Sequence, residues 1–151
     1  MNRRTHYATI LTILLLAFIG RVVGQLLVST GNAPYLPPMQ EWQSGLLPYP
    51  VLVACQFAII ALYGYTCLSI WRSRGFFARR HETLGNALTR FGAIYFTIML
   101  LRYPIYMSLV PEARWLHGTI PIAFHLILAS FILVLARFNL DERIIPSSSA
   151  Q

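Results

Sequence analysis

Six side chains in this sequence are of kinds that bind or react, and they stand where such groups are expensive. They are Arg21, Gln25, Gln56, Arg102, Tyr103 and His125, each inside a long apolar run. A charged side chain in the middle of a bilayer costs roughly 2.5–3.5 kcal/mol even on the lenient insertion scale, so such residues usually face a bundle interior and have a job there. A guanidinium offers a planar fork of N–H donors that matches carboxylate, phosphate and carbonyl oxygens. His125 can donate to a quinone carbonyl, relay a proton or ligate a haem iron.

The charge balance around these residues is one-sided. Arg21 and Arg102 are permanently cationic, yet no aspartate or glutamate falls within the four apolar runs. Three structural answers exist for their donors: snorkelling toward outer headgroups, pairing with Glu41 or Glu112 in the outer loops, or bonding to Gln25, Gln56 and backbone carbonyls. The fourth answer is a ligand. An anionic or carbonyl-bearing amphiphile, a lipid or a quinone, would supply the missing oxygens.

Other chemistries find no residues. The chain has no Gly-rich phosphate loop, no HExxH, no CxxC and no paired carboxylates, so neither a metal site nor a catalytic residue is assigned. Cys55 and Cys67 would lie about 18 Å apart on one helix at 1.5 Å per residue, too far to bridge. A haem has only a single intramembrane imidazole at mid-depth to draw on, because His117 shares a run with His125 while His6 and His81 fall at the opposite side. No motif carries a resemblance to a known family.

The elements that must position these groups follow from composition. Of 151 residues, 56% are hydrophobic and 11% charged, and the mean hydropathy is +0.58. Soluble domains carry about 25% charged residues, so the chain belongs to the membrane class. Four apolar runs cover about residues 7–28, 51–71, 87–110 and 117–138, each long enough to cross a hydrocarbon core of about 30 Å as a helix. The expected fold is an all-α integral membrane protein, a four-helix transmembrane bundle. A single domain over 1–146 accounts for nearly the whole chain, with a disordered tail at 147–151.

All 12 basic residues are arginine, and the net charge is +7. Their placement argues against nucleic-acid binding. Arg3 and Arg4 precede the first run, Arg72, Arg74, Arg79, Arg80 and Arg90 lie between or beside the second and third, and Arg137 and Arg143 end the fourth. By the positive-inside rule both termini and the 72–86 loop are cytoplasmic, which makes the protein a multi-pass component of a cytoplasmic (inner) membrane. The N-terminal run also has features of a signal peptide, but it stays apolar through Leu27 and Val28 and holds Arg21. The basic and aromatic 72–80 loop is suited to anionic headgroups as well as to setting topology. The proline-rich 29–50 loop, with Tyr35, Trp42 and Tyr49, is expected to lie across the bundle mouth.

Counting from the run ends puts Arg21 about 10 Å, Gln56 about 8 Å, and Arg102 and His125 about 12 Å below the outer face. Four helices thus bring polar groups to one level. Arg21 and Gln25 are one turn apart on one face, Gln56, Tyr63 and Cys67 align on the second run, Tyr95, Met99, Arg102 and Tyr106 on the third, and His117, Pro121 and His125 on the fourth. Gly20 and Gly24 form a GxxxG ridge that would admit a neighbouring backbone. The leading expectation is a binding or accessory membrane protein holding an amphiphile in this layer, with membrane lipids, partner subunits or further copies of itself as partners. A quinone- or haem-dependent redox component and a purely structural subunit are the rivals.

Overall fold

A computed structural model of the chain describes residues 2–31, 35–42, 48–109 and 119–142. Four long helices dominate them: α1 (Arg3–Ser29), α2 (Tyr49–Arg72), α3 (Glu82–Leu109) and α4 (Thr119–Leu140), with single 3-10 turns at Met39–Glu41 and Phe76–Ala78. No strand occurs among the described residues. All four helices are long and apolar enough to span a membrane, in keeping with a multi-pass membrane protein.

Local chemistry accounts for the helix ends. Asn2 caps α1, its side-chain oxygen accepting from the Arg4 amide at 3.4 Å. Inside that apolar helix the Thr9 and Thr12 hydroxyls return to the carbonyls one turn back, at 2.9 and 2.7 Å, so neither faces lipid unpaired. Helix α2 starts at Pro48 and Pro50, where a missing N–H costs nothing. It stops where Ser73 turns left-handed (φ 54), and the Ser73 and Arg74 amides then cap the Ile70 and Ser69 carbonyls.

Helix α1 packs on both α2 and α4, α2 reaches α4 through Tyr63, and α3 lies along the outside of α4. Two apolar clusters fill the interior. One, toward the arginine-rich end, gathers Leu11, Leu15, Ile70, Phe131 and Phe138; the other, toward the opposite end, gathers Phe18, Val22 and Leu128. Tyr63 joins them, its ring stacked 3.7 Å from that of Phe131 and its hydroxyl directed at the Leu128 carbonyl. Outward-facing Ile13, Leu16, Phe57, Leu62, Ile94 and Ile98 are each more than half exposed, a surface suited to acyl chains and hostile to water. Cys67 is buried, Cys55 is exposed, and both are free thiols.

The small residues act differently from the expected GxxxG ridge. Gly20 has open space where a side chain would be, and Gly24 receives the indole of Trp42, so neither admits a neighbouring helix. The close helix approach is at Gly85 and Gly92 instead. A Cβ there would come within 2.8 Å of Leu140 and 2.9 Å of Leu133, respectively. These two glycines are seven residues apart, and with Leu88 between them they form the α3 seam against α4 that continues to Tyr95 and Met99.

The arginine-rich end is one place in space. Arg3 pairs with Asp141 at 3.3 Å, Arg4 donates to the Ala78 carbonyl, and Arg80 donates to the Asn139 carbonyl at 3.1 Å. Fully buried Asn139 clamps the loop: its oxygen accepts from the His81 amide at 3.0 Å and its nitrogen donates to the Leu135 carbonyl at 2.9 Å. The start of α1, the loop after α2 and the end of α4 are therefore tied together.

Candidate functional site

Three helices bring the candidate residues together at the other end. Arg21 and Gln25 share one face of α1, a spacing of four that stacks one above the other. The Arg21 guanidinium donates through Nη1 to Gln25 Oε1 and through Nη2 to the backbone carbonyl of Trp42. Gln56 of α2 donates its Nε2 to the same Gln25 oxygen at 2.9 Å. Below the cation lies Phe124 of α4, its ring centre 5.7 Å from Arg21 Cζ, a cation–π distance. Arg21 is 8% exposed, so it does not snorkel to the surface.

The loop after α1 takes part through Trp42. Pro37 and Pro38 lead into the turn at Met39–Glu41, which delivers Trp42 against α1. Its indole donates to the Pro37 carbonyl at 3.0 Å and fills the gap over Gly24. The loop therefore closes part of the mouth and contributes an oxygen to Arg21, while Tyr35 stays exposed.

Donor logic fixes the sense of this network. Arginine only donates, so the Gln25 oxygen must face Arg21, and Gln56 must turn its nitrogen toward that oxygen. Gln56 Oε1 is left as an acceptor. It is buried without a partner, as are Arg21 Nε and Gln25 Nε2. A buried polar group left unpaired costs about 1–3 kcal/mol, and three of them cluster here around one cation.

Beside them is a cavity of 210 Å³, lined by Arg21, Gln56, Cys55, Phe124 and His125 and covered at its mouth by Trp42. His125 receives Tyr95 of α3, whose hydroxyl sits 2.5 Å from the imidazole Nδ1. The cavity thus combines aromatic and apolar walls with a cation, an amide oxygen and an imidazole. Sites that bury a whole drug-sized molecule measure about 300–1,000 Å³. This one has room for a headgroup or a single ring, not for a porphyrin. His125 is also the one imidazole among the described lining residues, so the residues do not fit a haem. Among the described residues no group of three or more His, Cys, Asp and Glu side chains gathers to hold a metal ion.

Arg21, Gln56 and His125 therefore line one cavity, and Gln25 stands behind it. Arg102 and Tyr103 do not line it. They are half-buried on α3, with Arg102 near enough to His125 to act on it electrostatically, as Arg21 also is. The reason is the position of α3, which packs chiefly on α4. His117, Glu112 and the 147–151 tail lie outside the described residues.

Sequence reasoning missed two contributors. The Trp42 carbonyl is a backbone atom and left no signal in residue type. Phe124 looked like any apolar residue of the fourth run, although its place three residues after Pro121 and one before His125 puts it at the polar level. A second, mostly apolar cavity of 490 Å³ lies on the other side of Phe124, between the Pro37–Pro38 segment and the start of α4. No family model matches this chain, and neither a curated protein nor a solved structure does, so the chemistry of the site has to carry the functional argument.

Proposed function

We propose that this chain is a four-span protein of the cytoplasmic (inner) membrane, with both termini in the cytoplasm, that holds the anionic or carbonyl-bearing headgroup of an amphiphile in the cavity beside Arg21. It acts as a binding or accessory subunit, alone, as a homo-oligomer or with partner membrane subunits. The gathering of Arg3, Arg4, Arg79, Arg80 and Arg137 at one end supports the orientation, since arginine marks the cytoplasmic side of short loops.

One observation carries the binding assignment. A buried arginine, held by neutral oxygens and with its Nε unspent, adjoins a cavity that Gln56 and His125 also line. Arg21 Nε and Gln56 Oε1 are buried, so a small shift of the two side chains would bring them to an oxygen acceptor and a hydroxyl of a headgroup in the cavity. The cavity volume limits the buried part to that headgroup, so the hydrocarbon tail extends into the surrounding lipid. Lipids with a carboxyl or phosphate group and quinones both present such oxygens.

A quinone-dependent redox component is the second reading, and the Tyr95–His125 pair favours it. A hydroxyl bound to an imidazole at the wall of the cavity is a path for the proton that must accompany quinone reduction or quinol oxidation.

The test is purification in mild detergent, solvent extraction and mass measurement of what is retained. A single enriched lipid or quinone species is expected, and Arg21→Leu should lose it while still inserting and folding. A wild-type extract matching the bulk membrane lipid, or undiminished retention in Arg21→Leu, would end the proposal. The absorption difference between oxidised and reduced samples separates quinone from lipid.

A further inference from the structure

A second cavity with a chemistry of its own lies at the arginine-rich end, where α2 turns into the following loop. It measures 280 Å³ and is lined by Tyr65, Leu68, Ser69, Arg72, Arg74 and Gly75. The turn that shapes it is sharp. Ser73 is left-handed, Arg74 folds back so that its amide reaches the Ser69 carbonyl at 3.1 Å, and Gly75 adopts φ 90. That φ favours glycine, and a side chain at Gly75 would stand 3.3 Å from the Tyr65 hydroxyl and 3.4 Å from the Ser69 hydroxyl. Two arginines and two hydroxyls are thus drawn toward one small hollow, and no carboxylate lines it.

The neighbouring cations are employed otherwise. Arg3 pairs with Asp141 and Arg80 with Glu142, whereas no hydrogen bond or ion pair joins the Arg72 or Arg74 guanidinium to any described residue. Leading up to the hollow is a stripe of apolar side chains at three-residue spacing on the outer face of α2: Leu62, Tyr65 and Leu68, 53%, 52% and 46% exposed. At its head stands the half-exposed Trp71, pinned by an indole bond of 3.1 Å to the Thr12 hydroxyl of α1. Tryptophan settles at the headgroup level of a membrane.

We propose that this hollow binds the phosphodiester of an anionic phospholipid in the leaflet at this end, with an acyl chain laid along the Leu62–Tyr65–Leu68 stripe. The guanidiniums of Arg72 and Arg74 take the phosphate oxygens, and the Ser69 hydroxyl is positioned to add a third donor. The apolar approach decides for a lipid over a free phosphate, because the stripe offers a soluble anion nothing. This site stands on the membrane reading of the four helices and is independent of what occupies the cavity beside Arg21. It also differs from a topological role for the same arginines, which requires charge in the loop but no saturable site.

Native mass spectrometry of the full chain in mild detergent, titrated with dioleoyl phosphatidylglycerol or with phosphatidylcholine of the same chains, separates these outcomes. One phosphatidylglycerol per chain should bind saturably, and phosphatidylcholine should not. With about 1 kcal/mol per basic side chain near an anionic surface, the pair Arg72→Gln/Arg74→Gln should weaken it about 30-fold and Arg74→Gln alone about fivefold. The single variant keeps the test alive if the double one inserts poorly. Arg79→Gln removes the same charge from the same loop outside the hollow and should leave affinity within about twofold. Equal weakening by Arg79→Gln, equal binding of both lipids, or displacement of phosphatidylglycerol by equimolar inorganic phosphate would each overturn the proposal.

Discussion

The two ends of the bundle use the same residue type for opposite purposes. At the arginine-rich end, cations lie near the surface and meet carboxylates or backbone oxygens: Arg3 with Asp141, Arg80 with Glu142 and Asn139, Arg4 with Ala78. Exposed pairs of this kind contribute about 0–1 kcal/mol each, so their value lies in pinning the helix ends. At the other end a single buried arginine is held by a glutamine and a backbone carbonyl, with part of its donor capacity idle. Among the described residues no acid pairs with it, and helix register alone would be served by two glutamines without the charge. The comparison teaches that the partners a guanidinium already has, not residue type, separate an arginine spent on pinning the fold from one with donors left for a ligand, as Arg21 is here and Arg72 and Arg74 are at the other end.

The largest effect should come from removing the buried charge that no acid among the described residues answers. Arg21→Leu deletes a charge-assisted hydrogen bond to the ligand, about 1.5–3 kcal/mol, and retention of the amphiphile should fall about 10- to 150-fold. Comparison of bound species in wild type and variant at equal protein concentration measures it. Next comes the opposite end. Asn139→Leu strips the His81 amide of its acceptor and the Leu135 carbonyl of a donor at a fully buried position, while the Arg80 bond to the backbone carbonyl remains, and should destabilise the fold by about 1–3 kcal/mol. Retention of the amphiphile at a temperature where the variant is folded should be unchanged. If Asn139→Leu also empties the cavity beside Arg21, the two ends are not separable and the comparison breaks.

A pair of glycines sharpens the outer side. In Gly24→Ala the new methyl would stand 2.7 Å from the nearest indole carbon of Trp42, so the ring must move and take the carbonyl bonded to Arg21 with it. Overpacking of this kind costs about 1–3 kcal/mol, and ligand retention should drop as well. Gly20→Ala, one turn away, meets nothing within 4 Å and should stabilise α1 by about 0.5–1 kcal/mol through helix propensity. Thermal unfolding in detergent gives both signs in one experiment. Two shifts of the same direction would mean that Trp42 does not hold the loop against α1.

Much of this architecture was legible because a bilayer leaves few choices. Apolar length and proline punctuation gave α1, α2 and α4 to within four residues, since only a helix satisfies its own backbone in lipid. Arg21 and Gln25 are one turn apart in any helix, so their contact was readable before any fold was known. Gln56 joined them because its depth matched. The position of α3 was not readable. Its residues are apolar around most of the circumference, and a helix in lipid shows no strong periodicity to reveal which face meets protein. The actual seam runs through Gly85 and Gly92, a spacing of seven, whereas the conspicuous Gly20 faces open space and Gly24 a loop contact. The role of Trp42 was likewise hidden, because a backbone carbonyl is the same atom in every residue.

Arg102 provides the smallest and most discriminating effect. Read from depth alone it is the equal of Arg21, at the same level and with the same charge. In the fold it is half-buried on the helix that lies outside α4 and is absent from the cavity wall, acting on His125 only across space. A guanidinium so placed can reach headgroups with its long stem, which Arg21 cannot do. Arg102→Gln should therefore change amphiphile retention less than about fivefold, the range of a partly screened charge, against the loss expected for Arg21→Leu. Its effect should also shrink as salt rises, because an interaction through solvent is screened while a buried donor is not. Equal losses from the two variants would show that the ligand sits between α3 and α4, on the Tyr95 side of His125, and the assignment to the α1–α2–α4 cavity would have to be abandoned.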